Sequence, residues 1–190
     1  KFLYDIGVVP NDEPYAKRTA QGMILGANGV KMSKSLGNVV DPLDVVAQYG
    51  ADTLRTYVLF MGDYGSAAPW NDSSVRGCKR FLDRVSDLRT MVKGTGATPA
   101  LESSFHKTIK KVSEDIENFS FNTSVAAFMI CLNELGECRK RAILEPLAAL
   151  LAPFAPHIAE ELWERLGHTA SVCDAPYPVC DESYLVEQSF

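Results

Sequence analysis

The chain has 190 residues, 46% of them apolar and 23% charged, with a formal net charge of −5. That length holds one domain or two small ones, and the composition describes a folded globular protein rather than a disordered one. The longest apolar run, Leu147 to Ala155, is interrupted by Pro153 and falls short of the roughly 20 residues of a membrane span; no basic-plus-apolar secretory segment opens the chain, which reads as cytoplasmic.

Phe2, Leu3 and Ile6 fit the last turn of a helix that Gly7 ends in a left-handed cap. The chain begins mid-pattern, so residues 1–40 read as the tail of a larger unit. Gly22-Met23-Ile24-Leu25 and Val30-Lys31-Met32 flank Gly26-Ala27-Asn28-Gly29, and Asn-Gly between short apolar runs predicts a β-hairpin. A hairpin with one helix is too small to fold alone, so it is expected to complete the sheet of a larger α/β unit.

From residue 41 the pattern is helical. Asp41-Pro42 starts a helix that carries Val45, Val46 and Tyr49 and stops at Gly50; the next places Leu54, Tyr57, Val58 and Met61 inward. Asn71 to Val92 predicts a longer helix with Val75, Cys78, Leu82, Val85, Leu88 and Val92 on one stripe. Gly94-Thr95-Gly96-Ala97-Thr98-Pro99 is the clearest linker. Four amphipathic helices follow, describing a bundle. The first carries Phe105, Ile109, Val112, Ile116 and Phe119; the second follows Asn122 with Val125, Phe128, Leu132 and Leu135. The third holds Leu144, Leu147 and Leu151, and the last buries Ile158, Leu162, Trp163 and Leu166 before Gly167. After His168, irregular chain covers the bundle's end. The expected fold is therefore mainly α: a hairpin remnant in 1–40, a helical connecting region in 41–95 and a helical bundle in 96–190.

The five cysteines include no Cys-x-x-Cys pair and suit reduced, packed thiols. The nearest approach to a zinc set, Cys173 and Cys180 with His168, is badly spaced, so no protein-bound metal is expected. The charge is unevenly spread: residues 71–141 carry a net +3 and residues 142–190 a net −7. The positive segment holds three basic clusters: Arg76, Lys79, Arg80 and Arg84; Lys107, Lys110 and Lys111; and Arg139, Lys140 and Arg141, the last read as a loop. They are candidates for contact with a nucleic-acid backbone, which positions the polymer without reading its sequence. Trp70 and Trp163 read as packing residues, and His157 as a cap or hydrogen-bonded core residue.

Lys31-Met32-Ser33-Lys34-Ser35 carries the sharpest chemistry. Two lysines three apart, interleaved with two hydroxyls, sit after a turn and before a helix. Such a loop brings two ammonium groups onto a polyphosphate, where they gain strength as negative charge develops on an α-phosphate and a departing pyrophosphate. Lysine suits a contact that forms and releases, being a flexible point charge. Gly37-Asn38 is placed to close this loop.

The pentamer resembles the signature loop of the class I aminoacyl-tRNA synthetases. Gln21-Gly22-Met23 before it and Leu36-Gly37-Asn38-Val39-Val40-Asp41-Pro42 after it are similar to that loop's surroundings. Gly50-Ala51-Asp52-Thr53-Leu54-Arg55 resembles the helix that follows in the Leu/Ile/Val/Met subgroup. The stretch from Pro153 to Trp163 resembles the last helix of that subgroup's anticodon-binding bundle. Three stretches are most similar to the leucine enzymes: 106–112 with Asp115-Ile116, then 121–129, then 175–179.

The resemblance implies ATP-dependent activation of leucine, with Mg2+ accompanying ATP, and transfer to tRNA(Leu) by a monomeric enzyme. Lys34 would be the main catalytic lysine, supported by Lys31 and Ser33, with ATP bound along Lys31, Met32, Ser33, Lys34 and Ser35. The family's His-x-Gly-His stretch, its amino-acid pocket and its editing insertion are absent from these residues, so the chain alone is expected to be inactive. An insertion many bacterial leucine enzymes carry before the loop is absent between Met23 and Lys31. The same residues are also compatible with a valine or isoleucine enzyme, or with a non-catalytic RNA-binding module.

Overall fold

A computed structural model describes residues 1–13, 15–88, 98–136, 138 and 140–185. Residues 94–97 of the expected linker, Val92 and Arg139 lie outside the described residues. Among those described the chain is mainly α, and no helix is long and apolar enough to cross a membrane.

Helix α1 (Phe2–Asp5) ends as its sequence implies: Gly7 sits at φ +72, and Val8 N–H returns to Leu3 O at 2.9 Å. Strand β1 (Ile24–Leu25) then departs from the expected hairpin. The Asn28-Gly29 turn forms, with Gly29 at φ +74 and Gly26 N–H bonded to Val30 O at 2.8 Å, but the returning arm makes one isolated antiparallel bridge, Leu25 to Lys31. The ladder of β1 is instead parallel, to β2 (Ala68–Pro69). Gly22 is required beside this ladder, because a Cβ there would stand 1.8 Å from Ser66 O.

Helices α2 (Pro42–Tyr49) and α3 (Ala51–Phe60) follow, joined by Gly50 at φ +90. Asp41 caps α2 by accepting from Leu43 N–H at 2.8 Å. The buried face of α3 is partly the expected one: Tyr57 is buried and Leu54 and Met61 pack half-buried against the core, but Val58 is 40% exposed, and Asp52, Thr53 and Thr56 are buried in addition. Thr53 and Thr56 are small enough for neighbouring helices to approach closely, and Tyr57 reaches α4 (Asp72–Asp87) by accepting from Asn71 N–H at 2.8 Å. Tyr57 also meets Trp70 edge-on at 4.8 Å, which makes Trp70 a packing residue as expected.

Helix α4 ends earlier than the apolar stripe implied and adds Phe81 to its buried face. Helix α5 (Pro99–Glu117) begins at Thr98, which caps it, and packs chiefly on α6 (Phe121–Leu135). The second bundle helix therefore starts after Ser120 rather than after Asn122, and Phe119 is off the first, in the connecting turn at φ +58. Its ring joins Tyr64 and Phe121 in an aromatic cluster with centroids 5.2–5.6 Å apart. Helix α7 (Arg141–Leu151) tolerates Pro146 in its interior, a loss of one helical hydrogen bond offset by burial of Leu144, Leu147, Ala148, Leu150 and Leu151. Helix α8 (Pro156–Arg165) buries Ala159 and Leu162, with Leu166 just past its end, leaving Ile158 and Trp163 half-buried. The Trp163 ring stacks on His168 at 3.7 Å. Short 3-10 turns at Val172–Asp174 and Glu182–Leu185 lie beyond the last helix.

Two hydrophobic cores result. The larger joins the second half of α4 with α5 to α8; the smaller gathers Val45, Tyr57, Trp70, Val75 and Cys78, with Ile24, Met32 and Val40 packed against it. Between them stands Asp52, 6% exposed. Its carboxylate accepts from Ile158 N–H at 2.8 Å and from His157 N–H at 3.4 Å, and lies 2.7 Å from His157 Nδ1. Ala155, the residue preceding α8, offers no side-chain cap, so the cap comes from α3 across more than 100 positions. His157 is thus an exposed hydrogen-bonding residue and not a core one. Arg55 adds a second tie, donating to Pro153 O at 3.0 Å.

Asp52→Ala should destabilise the chain by about 1–3 kcal/mol, because it leaves buried helix amides unsatisfied, and Asp52→Asn by less, because an acceptor remains. Urea denaturation followed by circular dichroism reads this directly. Equal midpoints for wild type and Asp52→Ala would show that the cap contributes nothing.

Candidate active-site loop and nucleic-acid face

The signature pentamer is an extended segment that runs into a tight turn. Ser33 is in β geometry (φ −148, ψ 138), and a 3-10 turn spans Lys34–Leu36 and ends at Gly37 with φ +63. Extended backbone alternates its side chains. Met32 accordingly packs half-buried against the smaller core, while Lys31 is exposed on the other side. Lys34, the first residue of the turn, is exposed as well. Ser33 Oγ and Ser35 Oγ lie 2.8 Å apart. Both ammonium groups are therefore solvent-facing on one short segment whose inner edge is anchored by an apolar side chain. Such a surface suits a polyanion that arrives and leaves, because neither lysine is held by an ion pair among the described residues.

The basic clusters differ in how much charge they leave available. Lys79 is paired with Asp83, Lys111 with Asp115 at 2.6 Å and Arg141 with Glu145 at 2.6 Å, each one helical turn along. Arg84 donates to Asn133 Oδ1 at 2.9 Å, tying α4 to α6. Arg76, Arg80, Lys107 and Lys110 are exposed and have no ion pair among the described residues. Lys140 lies in extended chain as the N-cap of α7, but Arg141 is the first residue of that helix and not a loop residue.

Among the described residues no group of three or more His, Cys, Asp or Glu side chains is arranged to hold a metal ion. None of the five cysteines is in a disulfide, and burial pushes Cys78 and Cys131 up to about 11, which keeps them protonated and unreactive at neutral pH.

A family model described as tRNA synthetases class I (I, L, M and V) matches residues 7–71, across the loop, and one described as anticodon-binding domain of tRNA ligase matches residues 100–190, across the bundle. The chain belongs to the class I tRNA synthetases. It is 48% identical over 190 residues to a leucine–tRNA ligase of Alkaliphilus oremlandii, covering 98% of this chain and 24% of that protein. It is 46% identical over 197 residues to the leucine–tRNA ligase of Bdellovibrio bacteriovorus, covering 100% of this chain and 25% of that protein. The chain thus spans about a quarter of the length of these relatives. Among solved structures it is similar to the Agrobacterium radiobacter LeuRS in a ternary complex with tRNA and LeuAMS, with TM-score 0.84 and 35% identity over 98% of this chain and 26% of that one. Mycobacterium tuberculosis methionyl-tRNA synthetase, in complex with methionyl-adenylate, shares the fold at TM-score 0.56 and 17% identity over 76% of this chain and 37% of that one.

In this class I synthetase chain the sequence motifs have distinct structural duties. The stretch Gly50 to Arg55 is the junction to the bundle, through Asp52 and Arg55. Asn38, expected with Gly37 to close the loop, meets the loop's main chain at two points through its carboxamide.

Proposed function

We propose that these residues form the signature-loop and tRNA-binding portion of a leucine–tRNA ligase. In the whole enzyme, ATP and leucine condense to an adenylate with release of pyrophosphate, and the leucyl group then passes to the terminal adenosine of tRNA(Leu). Lys34, with Lys31 beside it, neutralises charge that builds on the α-phosphate and the departing pyrophosphate; Ser33 and Ser35 offer hydroxyl donors, and the backbone at Met32 lies along the nucleotide. Mg2+ enters with the ATP phosphates as part of the substrate. Residues 1–40 belong to the nucleotide-binding unit, 41–95 connect it to the bundle, and 96–190 hold the tRNA body through exposed cations. The enzyme works as a monomer in the cytoplasm.

The observation that carries this reading is the exposed pair Lys31 and Lys34, set on one anchored segment within a chain that matches leucine–tRNA ligases along 98% of its length. In the full-length enzyme, Lys34→Ala should lower the rate of adenylate formation by about 10- to 150-fold, the equivalent of one charge-assisted hydrogen bond, with little change in KM for leucine. Pyrophosphate exchange with each amino acid in turn measures this. An unchanged rate, or activation of valine or isoleucine in place of leucine, would refute it.

The bundle's share is electrostatic. Replacing Arg76, Arg80, Lys107 and Lys110 with Gln should flatten the dependence of tRNA affinity on salt, by roughly 0.7–0.9 in log–log slope for each phosphate that is no longer neutralised. Replacing Lys79, Lys111 and Arg141 should flatten it less, since carboxylates already neutralise them. Filter binding across salt concentrations separates the two sets, and equal effects would remove the distinction.

A further inference from the structure

The loop's geometry contains a device that neither its lysines nor its hydroxyls explain. The Asn38 carboxamide oxygen accepts from Ser33 N–H at 2.8 Å, and its nitrogen donates to Lys31 O at 3.3 Å. In an extended segment the carbonyl of one residue and the amide of the residue two further on point to the same side, where a neighbouring strand would meet them. A primary carboxamide presents its oxygen acceptor and one N–H donor side by side on the same edge, as the C=O and N–H of one strand residue do. Asn38 therefore occupies the position of a single residue of an adjacent parallel strand, with Met32 as the residue opposite.

The surrounding chain is built to bring it there. The 3-10 turn Lys34–Leu36 and the left-handed Gly37 at φ +63 reverse the chain, so that Asn38 returns beside Lys31 and Ser33. On the far side stands Gly26, where a Cβ would lie 2.8 Å from the Asn38 nitrogen, 3.1 Å from Asn28 Oδ1 and 3.3 Å from Val30 O. Any side chain at position 26 would press on a carboxamide already committed to two partners.

We propose that Asn38 is a positioning residue for adenylate formation, a one-residue substitute strand that fixes the main chain of Lys31 and Ser33 so that both ammonium groups address the same phosphate chain, with Gly26 the position that leaves room for it. The inference rests on the ligase reading above. The lysines supply the charge; the carboxamide sets where that charge stands, so its loss falls on the rate of the chemical step rather than on leucine binding.

The test uses the full-length ligase carrying Asn38→Ala, Gly26→Ala, both together, and Lys34→Ala as reference. Single-turnover adenylate formation should fall roughly five- to tenfold in Asn38→Ala and in Gly26→Ala, the scale of one or two neutral hydrogen bonds, with KM for leucine unchanged. The double variant should fall far less than the product of the single effects, because removing the carboxamide relieves the closest clash at position 26. Amide hydrogen exchange gives a readout independent of catalysis: the Ser33 amide should exchange faster in Asn38→Ala while the α2 amide of Val45 keeps its protection. Wild-type adenylation in Asn38→Ala, multiplicative losses in the double variant, or unchanged exchange at Ser33 would each overturn the proposal. If Lys34→Ala alone left activity intact, the ligase reading would fail, and the Ser33 exchange rate would still decide whether the clamp exists.

Discussion

A carboxylate enclosed almost completely by protein needs partners that cannot move away, since an uncompensated buried charge costs several kcal/mol. Asp52 has such partners only while the first turn of α8 sits against the first turn of α3. Two backbone amides, an imidazole nitrogen and the positive end of the α8 dipole converge on its two oxygens. Together with α4, which runs through both, and the packing of α3 on α6, this requirement sets how the smaller core, which anchors the signature loop through Met32, lies against the larger core of the bundle. Arg55 on the Pro153 carbonyl closes the same junction one helical turn further along. Both residues belong to one short stretch, so a few consecutive positions orient the two halves of the molecule.

That junction was not legible beforehand. Asp41 announced its cap because the helix it serves begins at the next residue, and Gly7, Gly37 and Gly50 announced turns by their own backbone freedom. Asp52 serves a helix more than 100 positions away, and no local pattern distinguishes it from an acidic residue in any first turn. Part of the inward face of α3 escapes the apolar pattern for a related reason. A period count rewards Leu54 and Val58, whereas close approach of helices rewards Thr53 and Thr56, which a hydrophobicity pattern does not see.

The strands show the opposite limit. Asn28-Gly29 signalled a real turn, but a parallel partner as short as Ala68-Pro69 carries no strand signal. The apolar stripes of α5, α6 and α8 were legible because burial enforces them over several turns, with errors confined to helix ends such as Ser120 and Phe119. The neutralised members of the basic clusters carry a legible signal too. Lys79 with Asp83, Lys111 with Asp115 and Arg141 with Glu145 are all spaced four apart in the sequence.

Chemistry and architecture meet at the signature segment. Among the described residues its cations have no ion pair, its inner side chain Met32 packs on the smaller core, and the Asn38 carboxamide bonds its main chain at two points. A loop so held still needs a fixed orientation toward the bundle for a ligand spanning both. The most direct check of that central claim is the distance distribution between spin labels at Leu36 and Ile130, measured by pulsed electron resonance with Cys138, Cys173 and Cys180 replaced by serine. One narrow peak in the otherwise native chain that broadens or splits in Asp52→Ala is the result expected. An identical distribution in both would mean that the buried carboxylate does not orient the two halves.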